Sequence, residues 1–303
     1  MSTKTKAWIS AFRLRTLPLS FSVIALGTFC AAFKGPIDPS IAIMCFVTTL
    51  FLQILSNLAN DYGDSEKGTD NEDRIGPMRA VQSGQISLSE MKRAVIIFSA
   101  LSFISGIVTT LLSFEIEELP LIFLFITLGL TAVAAAIKYT VGKSAYGYRG
   151  LGDLFVFLFF GLLGVCGTYY LQEKVINWEI FLPASGIGLL SVGVLNLNNM
   201  RDRESDQKAG KITLAVHLGE IGAKRYHSFL ILTAILCFVS FTYLSGMQNW
   251  AWLWLLAVPL LLKNLITAVK ETEPAKLDPL LKQLALSTAL LVLCFGIGGL
   301  ISL

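Results

Sequence analysis

Apolar runs of roughly 20 residues recur along the whole chain, each closed by a short polar or charged stretch, the spacing expected of helices that cross a hydrocarbon core. The first extends from Leu17 to Phe33. Others cover about 40–59, 93–113, 119–137, 152–171, 179–199, 227–246, 248–268 and 281–302. The pattern predicts nine spanning helices: an all-α polytopic membrane protein with no segment left over for a soluble domain. A basic start before apolar residues also describes a signal peptide. Ala31-Ala32 is a weak cleavage site, however, and the later runs are equally apolar, so the first run reads as a span.

Two polar interruptions differ from the rest. The stretch Asn57 to Arg79 is the most charged part of the chain, and it begins where the run Ile41–Leu58 gives out. Its Asn57, Asn60, Asp61 and Asp64 fall at i, i+3, i+4 and i+7, so on a continuing helix they share one face. A second stretch, Asn196 to Asp206, repeats the arrangement at the end of another apolar run. There Asn198, Asp202 and Asp206 are spaced i, i+4, i+8. The pairing of Asn57-Leu-Ala-Asn60 with Asn196-Leu-Asn198-Asn199, four spans apart, suggests one domain over 1–303 built from duplicated four-helix units, about 13–138 and 152–270, with a ninth helix at 281–302.

The composition agrees: 54% of residues are hydrophobic and 15% charged, with a mean hydropathy of +0.67. The net charge of +3 is small, and its distribution matters more. With the N-terminus in the cytoplasm, 22 of the 24 lysines and arginines fall on the inner side and only Lys34 and Lys174 lie outside. Both acidic stretches are then cytoplasmic. Trp178, Trp250, Trp252 and Trp254 lie near predicted outer ends, where interfacial anchors are expected. The five cysteines lie inside apolar runs without metal-ligand spacing and read as core thiols. His217 and His227 are isolated and make poor metal ligands. As candidates for a general base they rest on chemistry alone.

Carboxylates at a membrane edge are costly unless they face a polar cavity or a cation. Glu66, Glu72, Asp73 and Glu204 read as solvated loop charges. Asp61, Asp64, Asp202 and Asp206, in helical register and flanked by asparagines, do not. Oxygen ligands of this kind suit Mg2+, which shares its remaining coordination with water and phosphate oxygens. Two acidic faces can hold such ions with a diphosphate between them. Lys67, Arg74, Arg79, Arg201 and Lys211 lie close by in sequence to balance the remaining charge. A lipid-soluble diphosphate would leave its head at this edge and its tail in the bilayer.

These residues resemble the two aspartate-rich signatures of the UbiA superfamily of intramembrane aromatic prenyltransferases: Asn60-Asp61-x-x-Asp64 and Asn198-x-x-x-Asp202-x-x-x-Asp206. The strings Gln53 to Asp64, Arg74-Ile-Gly-Pro-Met-Arg79, Tyr139-Thr-Val-Gly142, Tyr146-Gly-Tyr-x-Gly-Leu-Gly-Asp153 and Leu195 to Asp202 are similar to its dihydroxynaphthoate branch, which serves menaquinone synthesis. The first signature usually carries a further aspartate where this chain has Gly68, with Asp70 two residues on. That variant resembles the naphthoate branch, and Asp70 is left out of the metal set.

The resemblance implies nine helices around a central cavity, polar at its cytoplasmic cap and open sideways to lipid. It implies an Mg2+-dependent enzyme of the bacterial inner membrane that moves a polyprenyl group from an allylic polyprenyl diphosphate to 1,4-dihydroxy-2-naphthoate, releasing diphosphate and carbon dioxide. Its partners would be those two substrates and the lipid bilayer, with no nucleic acid. Residue by residue, Asp61 and Asp64 match the first metal-ligand pair, and Asp202 and Asp206 the second. Asn57, Asn60, Asn198 and Asn199 would orient diphosphate or ligands. The 138–153 loop gathers Lys138, Tyr139, Lys143, Tyr146, Tyr148, Arg149 and Asp153. Lys138 and Lys143 are equally well read as positive-inside charges. Tyr139, Tyr146 and Arg149 read as a lid touching the acceptor or the allylic cation, with Tyr139 and Arg149 as catalytic candidates and Tyr146, Tyr148 and Asp153 on the acceptor.

Three other readings compete. A 4-hydroxybenzoate-type prenyltransferase would share the metal site. A CDP-alcohol phosphotransferase would need one compact motif with an Asp-Gly and Ala-Arg continuation, which this chain lacks. A secondary transporter would carry its carboxylates near mid-membrane, not at one edge.

Overall fold

The computed structural model describes residues 3–69 and 75–303. Among the described residues are nine helices long and apolar enough to cross a membrane: α1 (Thr3–Ala32), α2 (Pro39–Glu66), α3 (Leu88–Ser113), α4 (Ile116–Lys138), α5 (Gly152–Glu173), α6 (Trp178–Arg201), α7 (Leu214–Leu244), α8 (Asn249–Lys270) and α9 (Pro274–Ile301). All nine lie where hydropathy placed them, but several run beyond their apolar cores. α2 continues through the acidic stretch to Glu66. α7 begins at Leu214 rather than near 227, capped by the Thr213 side chain and broken at Gly219, whose φ of 66° and ψ of −178° suit only glycine. Hydropathy misses this first part because His217, Glu220, Lys224 and Arg225 interrupt its apolar residues.

Helix starts are written in the sequence. Asp38 accepts a hydrogen bond from Ser40 N at 2.7 Å and precedes Pro39, opening α2. Ser87 and Glu90 form a capping box for α3. α1 is broken at Arg13, whose φ of 48° is left-handed, and a 3-10 turn, Leu14–Thr16, joins its two parts. The part before the break lies against α2 and α3, burying Ala7 and Ala11, with Trp8, Phe12 and Phe98 in a ring cluster.

α2 pairs with α3, and α6 with α7; α1 packs between α2, α5 and α9. Lipid gives helices no hydrophobic reason to associate, so close approach of small residues matters. At the α5–α6 crossing a Cβ on Gly161 would meet Ala184 O at 2.8 Å and Gly188 Cα at 2.9 Å. There α5 is wound as a π-helix from Phe157 to Cys166, a rare variant that is frequent at functional sites. α8 begins as a 3-10 helix, Asn249–Ala257, whose three-residue period turns Ala251, Trp254 and Ala257 to one buried side. This corrects the expectation for Trp254: it is fully buried and donates to Thr242 Oγ1 at 3.0 Å. Trp178 and Trp250 are exposed, as anchors should be.

α4 and α5 stand apart, and between them lies an apolar groove of about 580 Å³ lined by residues that include Leu124, Phe125, Leu128, Thr131, Phe159 and Leu163. A ladder of rings reaches it from the loop between these helices. Tyr139 meets Tyr146 edge-on at 5.4 Å, Tyr146 stacks on Phe155 at 4.0 Å, and Phe155 stacks on Phe159 at 6.1 Å.

Candidate active site at the ends of α2 and α6

On α2 the acidic stretch is helical, so Asn57, Asn60, Asp61 and Asp64 do share a face, and all but Asn60 are buried. Asn57 Nδ2 donates to Phe12 O at 3.0 Å, fixing the chain just before the break in α1. Arg13, turned by its left-handed backbone, donates to Asp61 Oδ1, and Arg79 Nη1 donates to the same oxygen at 2.6 Å. Asn60 Oδ1 faces Thr140 Oγ1 at 3.4 Å. Asp64 Oδ1 accepts from the Tyr148 hydroxyl at 2.8 Å, and Asp64 Oδ2 lies 3.8 Å from Lys211 Nζ.

The second stretch departs from the expected single helix. α6 ends at Arg201, Asp202 forms the joint (φ −93°, ψ 6°), and a short helix, Arg203–Lys208, carries Asp206. Backbone bonds from Asp202 N to Asn198 O (3.1 Å) and Asp206 N to Asp202 O (2.8 Å) bridge the joint, so the bend is slight. It still separates the two carboxylates by environment. Arg201 grips Asp202 with two bonds, Nε to Oδ1 at 2.9 Å and Nη2 to Oδ2 at 2.6 Å, donates also to Asn198 Oδ1 at 2.8 Å, and reaches Asp278 at the start of α9. It is buried, its donors already committed to protein partners. Asp206 Oδ1 instead lies 3.6 Å from Lys211 Nζ. Asn199 is buried on α6, and Asn196, below the site, donates to Ala223 O at 3.1 Å.

The loop between α4 and α5 lies over these groups with Tyr148 at its centre. The Tyr148 hydroxyl is 2.5 Å from Thr69 Oγ1 as well as bonded to Asp64. Lys67 Nζ lies 3.8 Å from the centre of its ring, and Lys211 Nζ lies 5.6 Å from it. Tyr146 donates to Ala135 O at 2.9 Å, so its hydroxyl holds the loop to α4. Tyr139 lies under the loop, its carbonyl accepting from Gly147 N at 3.0 Å. Arg149 is exposed and makes no ion pair among the described residues. Asp153 is buried beside Tyr226 on α7. Lys138, Lys143, Glu66 and Glu204 are exposed, as solvated charges should be. Arg74 and Asp70, with Glu72 and Asp73, lie outside the described residues.

Burial pushes the Asp206 carboxyl up to about 6, against the facing Lys211 ammonium. Burial works against the Lys211 charge, but Asp64 and Asp206 outweigh it and raise its pKa. Tyr148 is raised by burial and by Asp64, so its hydroxyl remains a proton donor. Burial lowers Lys67, with Asp64 and Glu66 opposing.

The donor set fits a hard divalent cation. Asp64 and Asp206 come from different helices and face a common point, and Asp206 Oδ2 is buried with no hydrogen-bond partner among the described residues. Those residues hold no closed cage of three or more such ligands. An open site of this kind suits Mg2+, which keeps part of its coordination for water and phosphate oxygens. Neither histidine joins it: His217 is exposed, and His227 is buried in the core beside Gly193 of α6. Sequence reasoning missed Arg13, which reads only as one more basic residue of the N-terminal tail, as well as Thr69 and Asp278. No local signal marks any of the three.

The chain matches the UbiA prenyltransferase family over residues 20–290. It is 44% identical over 296 residues to the 1,4-dihydroxy-2-naphthoate octaprenyltransferase of Escherichia coli, covering 98% of this chain and 96% of that protein. Its identity to the Mycobacterium tuberculosis protein of the same name is 35% over 293 residues, covering 96% and 95%. In structure it is similar to a UbiA homolog from Aeropyrum pernix, with a TM-score of 0.65 at 18% identity, covering 94% of this chain and 95% of that one. A UbiA homolog from Archaeoglobus fulgidus bound to GPP and Mg2+ gives 0.60 at 17% identity, covering 94% and 99%. The structural likenesses speak for the fold, the sequence matches for descent, and they agree over nearly the whole length: the chain belongs to the UbiA prenyltransferase family.

Proposed function

We propose that this protein transfers a polyprenyl group from an allylic diphosphate to 1,4-dihydroxy-2-naphthoate, the acceptor in the names of its relatives. The observation that carries the reading is the meeting of two acidic helix ends at one point. Asp64 of α2 and Asp206, just past α6, lie on either side of the Lys211 ammonium, under a tyrosine bonded to one of them. Asp64 and Asp206 would hold the ion directly, with Asp61 and Asp202 completing the donor set. Mg2+, when bound, supplies Lewis-acid charge to the oxygens of the departing diphosphate.

The chain's residues do the rest. Lys67, Arg79, Lys211 and the newly found Arg13 surround the diphosphate, with Asn60, Asn198 and Asn199 as neutral donors and Arg74, close by in sequence, as a further candidate. Arg201 is a positioning residue that holds Asp202. Tyr139, Tyr146 and Tyr148 present ring faces near the allylic carbon as it gains positive charge. The α4–α5 groove suits the apolar tail, and the ring ladder from Tyr139 to Phe159 connects it to the cap. The carbon–oxygen bond to diphosphate breaks, and the electron-rich ring forms the new carbon–carbon bond at the carbon bearing its carboxylate. That carboxylate leaves as carbon dioxide, returning its bonding pair to the ring. Arg149 and Asp153 remain acceptor-side candidates at the loop's two ends. In this reading residues 1–303 are one domain that spans a bacterial inner membrane, with the N-terminus and the active site on its cytoplasmic side. Its halves are α1–α4 and α5–α8, supported by the like placement of the α2–α3 and α6–α7 pairs.

The test supplies carboxyl-labelled 1,4-dihydroxy-2-naphthoate, an allylic diphosphate and Mg2+ to the purified protein. The expected result is one labelled carbon dioxide released per prenylated product, with no turnover once the metal is chelated. Product that keeps the label would point to a hydroxybenzoate-type reaction and defeat the assignment.

A further inference from the structure

Lys211 occupies the point where the two acidic ends meet. Its ammonium is 3.8 Å from Asp64 and 3.6 Å from Asp206, and no other cation among the described residues lies within 4 Å of either carboxylate. The space that would suit a metal is therefore held by a positive charge of the chain itself. The backbone around Lys211 is fixed: its N–H donates to Asp206 O at 2.8 Å, and Ile212 N donates to Tyr148 O at 3.2 Å. The side chain is not fixed in the same way, because both contacts are longer than a good hydrogen bond and come from a flexible four-carbon stem. Gly210, just before it, has a φ of 72° with open space around an added Cβ, so glycine is required there by conformation and not by crowding.

We propose that Lys211 is a resident counter-ion that a divalent cation must displace, and that the diphosphate enables the exchange by giving the ammonium a new partner. The inference rests on the prenyl-transfer reading above and adds an order of events to it. An ammonium and a divalent cation a few ångströms apart repel strongly, so metal alone enters against Lys211. A diphosphate brings negative oxygens that satisfy the ammonium outside the carboxylate pair, and the metal then takes the pair and the diphosphate together. By linkage, each should strengthen binding of the other. Such an arrangement keeps two buried carboxylates neutralised between turnovers and makes metal entry conditional on substrate.

The experiment measures Mn2+ binding by electron paramagnetic resonance on the full chain in detergent, alone and with geranyl diphosphate but no acceptor. Wild type should bind Mn2+ weakly alone and much more tightly with the diphosphate. Lys211→Gln and Lys211→Met should bind Mn2+ alone at least about tenfold more tightly than wild type, a low figure for removing one charge at this range, and should gain less from the diphosphate. Lys211→Arg keeps the carboxylates paired and so tests the idea even if the neutral variants do not fold. It should bind Mn2+ alone no more tightly than wild type, and a rise would overturn the proposal. Neutral variants no tighter than wild type, with the diphosphate effect intact in wild type, would also overturn it and leave the prenyl-transfer reading standing. Failure of geranyl diphosphate to promote Mn2+ binding in wild type would remove both.

Discussion

The four aspartates are not equivalent, and the difference lies in what each is paired with. Asp61 and Asp202 are clamped by guanidiniums, Asp61 by Arg13 and Arg79, Asp202 by Nε and Nη2 of Arg201. Asp64 and Asp206 share one ammonium at longer range. Arginine is a rigid bidentate partner, whereas lysine is a point charge that can leave. If Arg201 positions Asp202, Arg201→Met removes both of the bonds Arg201 makes to this buried carboxylate and should lower stability by about 3 kcal/mol. Thermal unfolding in detergent reads this. Asp64→Asn should instead purify normally and lose turnover by about a hundredfold or more, the scale of removing one electrostatic group from a reacting centre. An Arg201 variant of unchanged stability whose KM for the diphosphate alone rose would return that residue to direct phosphate binding.

Between elements, one tight contact is α5 against α6, the helix that follows the loop carrying Tyr148 against the helix whose end carries Asp202. A side chain at Gly161 would strike the α6 backbone below 3 Å, where neither partner has a flexible end to move aside. Gly161→Val should therefore cost about 1–3 kcal/mol and lower turnover as well. The control is Gly129→Ala on α4, where an added Cβ meets nothing within 4 Å and stability should hold or rise slightly. Equal melting temperatures for the two variants would show that the crossing tolerates separation. The π-helical winding of α5 runs over the same residues, Phe157 to Cys166.

For the molecule as a whole, the decisive question is whether both acidic stretches and the loop over them lie on one side of the membrane. The structure brings Asp64, Tyr148 and Asp206 together at one end of the bundle, the end that the proposed topology places on the cytoplasmic side. Cysteines at the exposed positions Glu66, Ser144 and Glu204 should react with an impermeant thiol reagent only from the cytoplasmic side, and one at exposed Val175 only from outside. Labelling of Glu66 and Glu204 positions from opposite faces would contradict the shared site.

The number of spans, their order, the apolar core of each and the two acidic stretches follow from sequence alone, because length, hydropathy and helical register are local properties of the chain. So does the shared face of Asn57, Asn60, Asp61 and Asp64, since nothing between Pro39 and Glu66 interrupts that helix. The bend at Asp202 was not legible, because it accompanies an ion-pair geometry with Arg201 and, through it, with Asp278 on a distant helix. Arg13 looks like any tail charge until the left-handed turn brings it onto Asp61, 48 residues away. Trp254 looks like an anchor until the 3-10 winding of α8 turns it inward. Which carboxylate a cation neutralises, and which ring faces the bilayer rather than the core, depends on groups brought together from far along the chain. Those choices belong to the packing of the helices, where the free energy of a buried charge is decided by its neighbours in space.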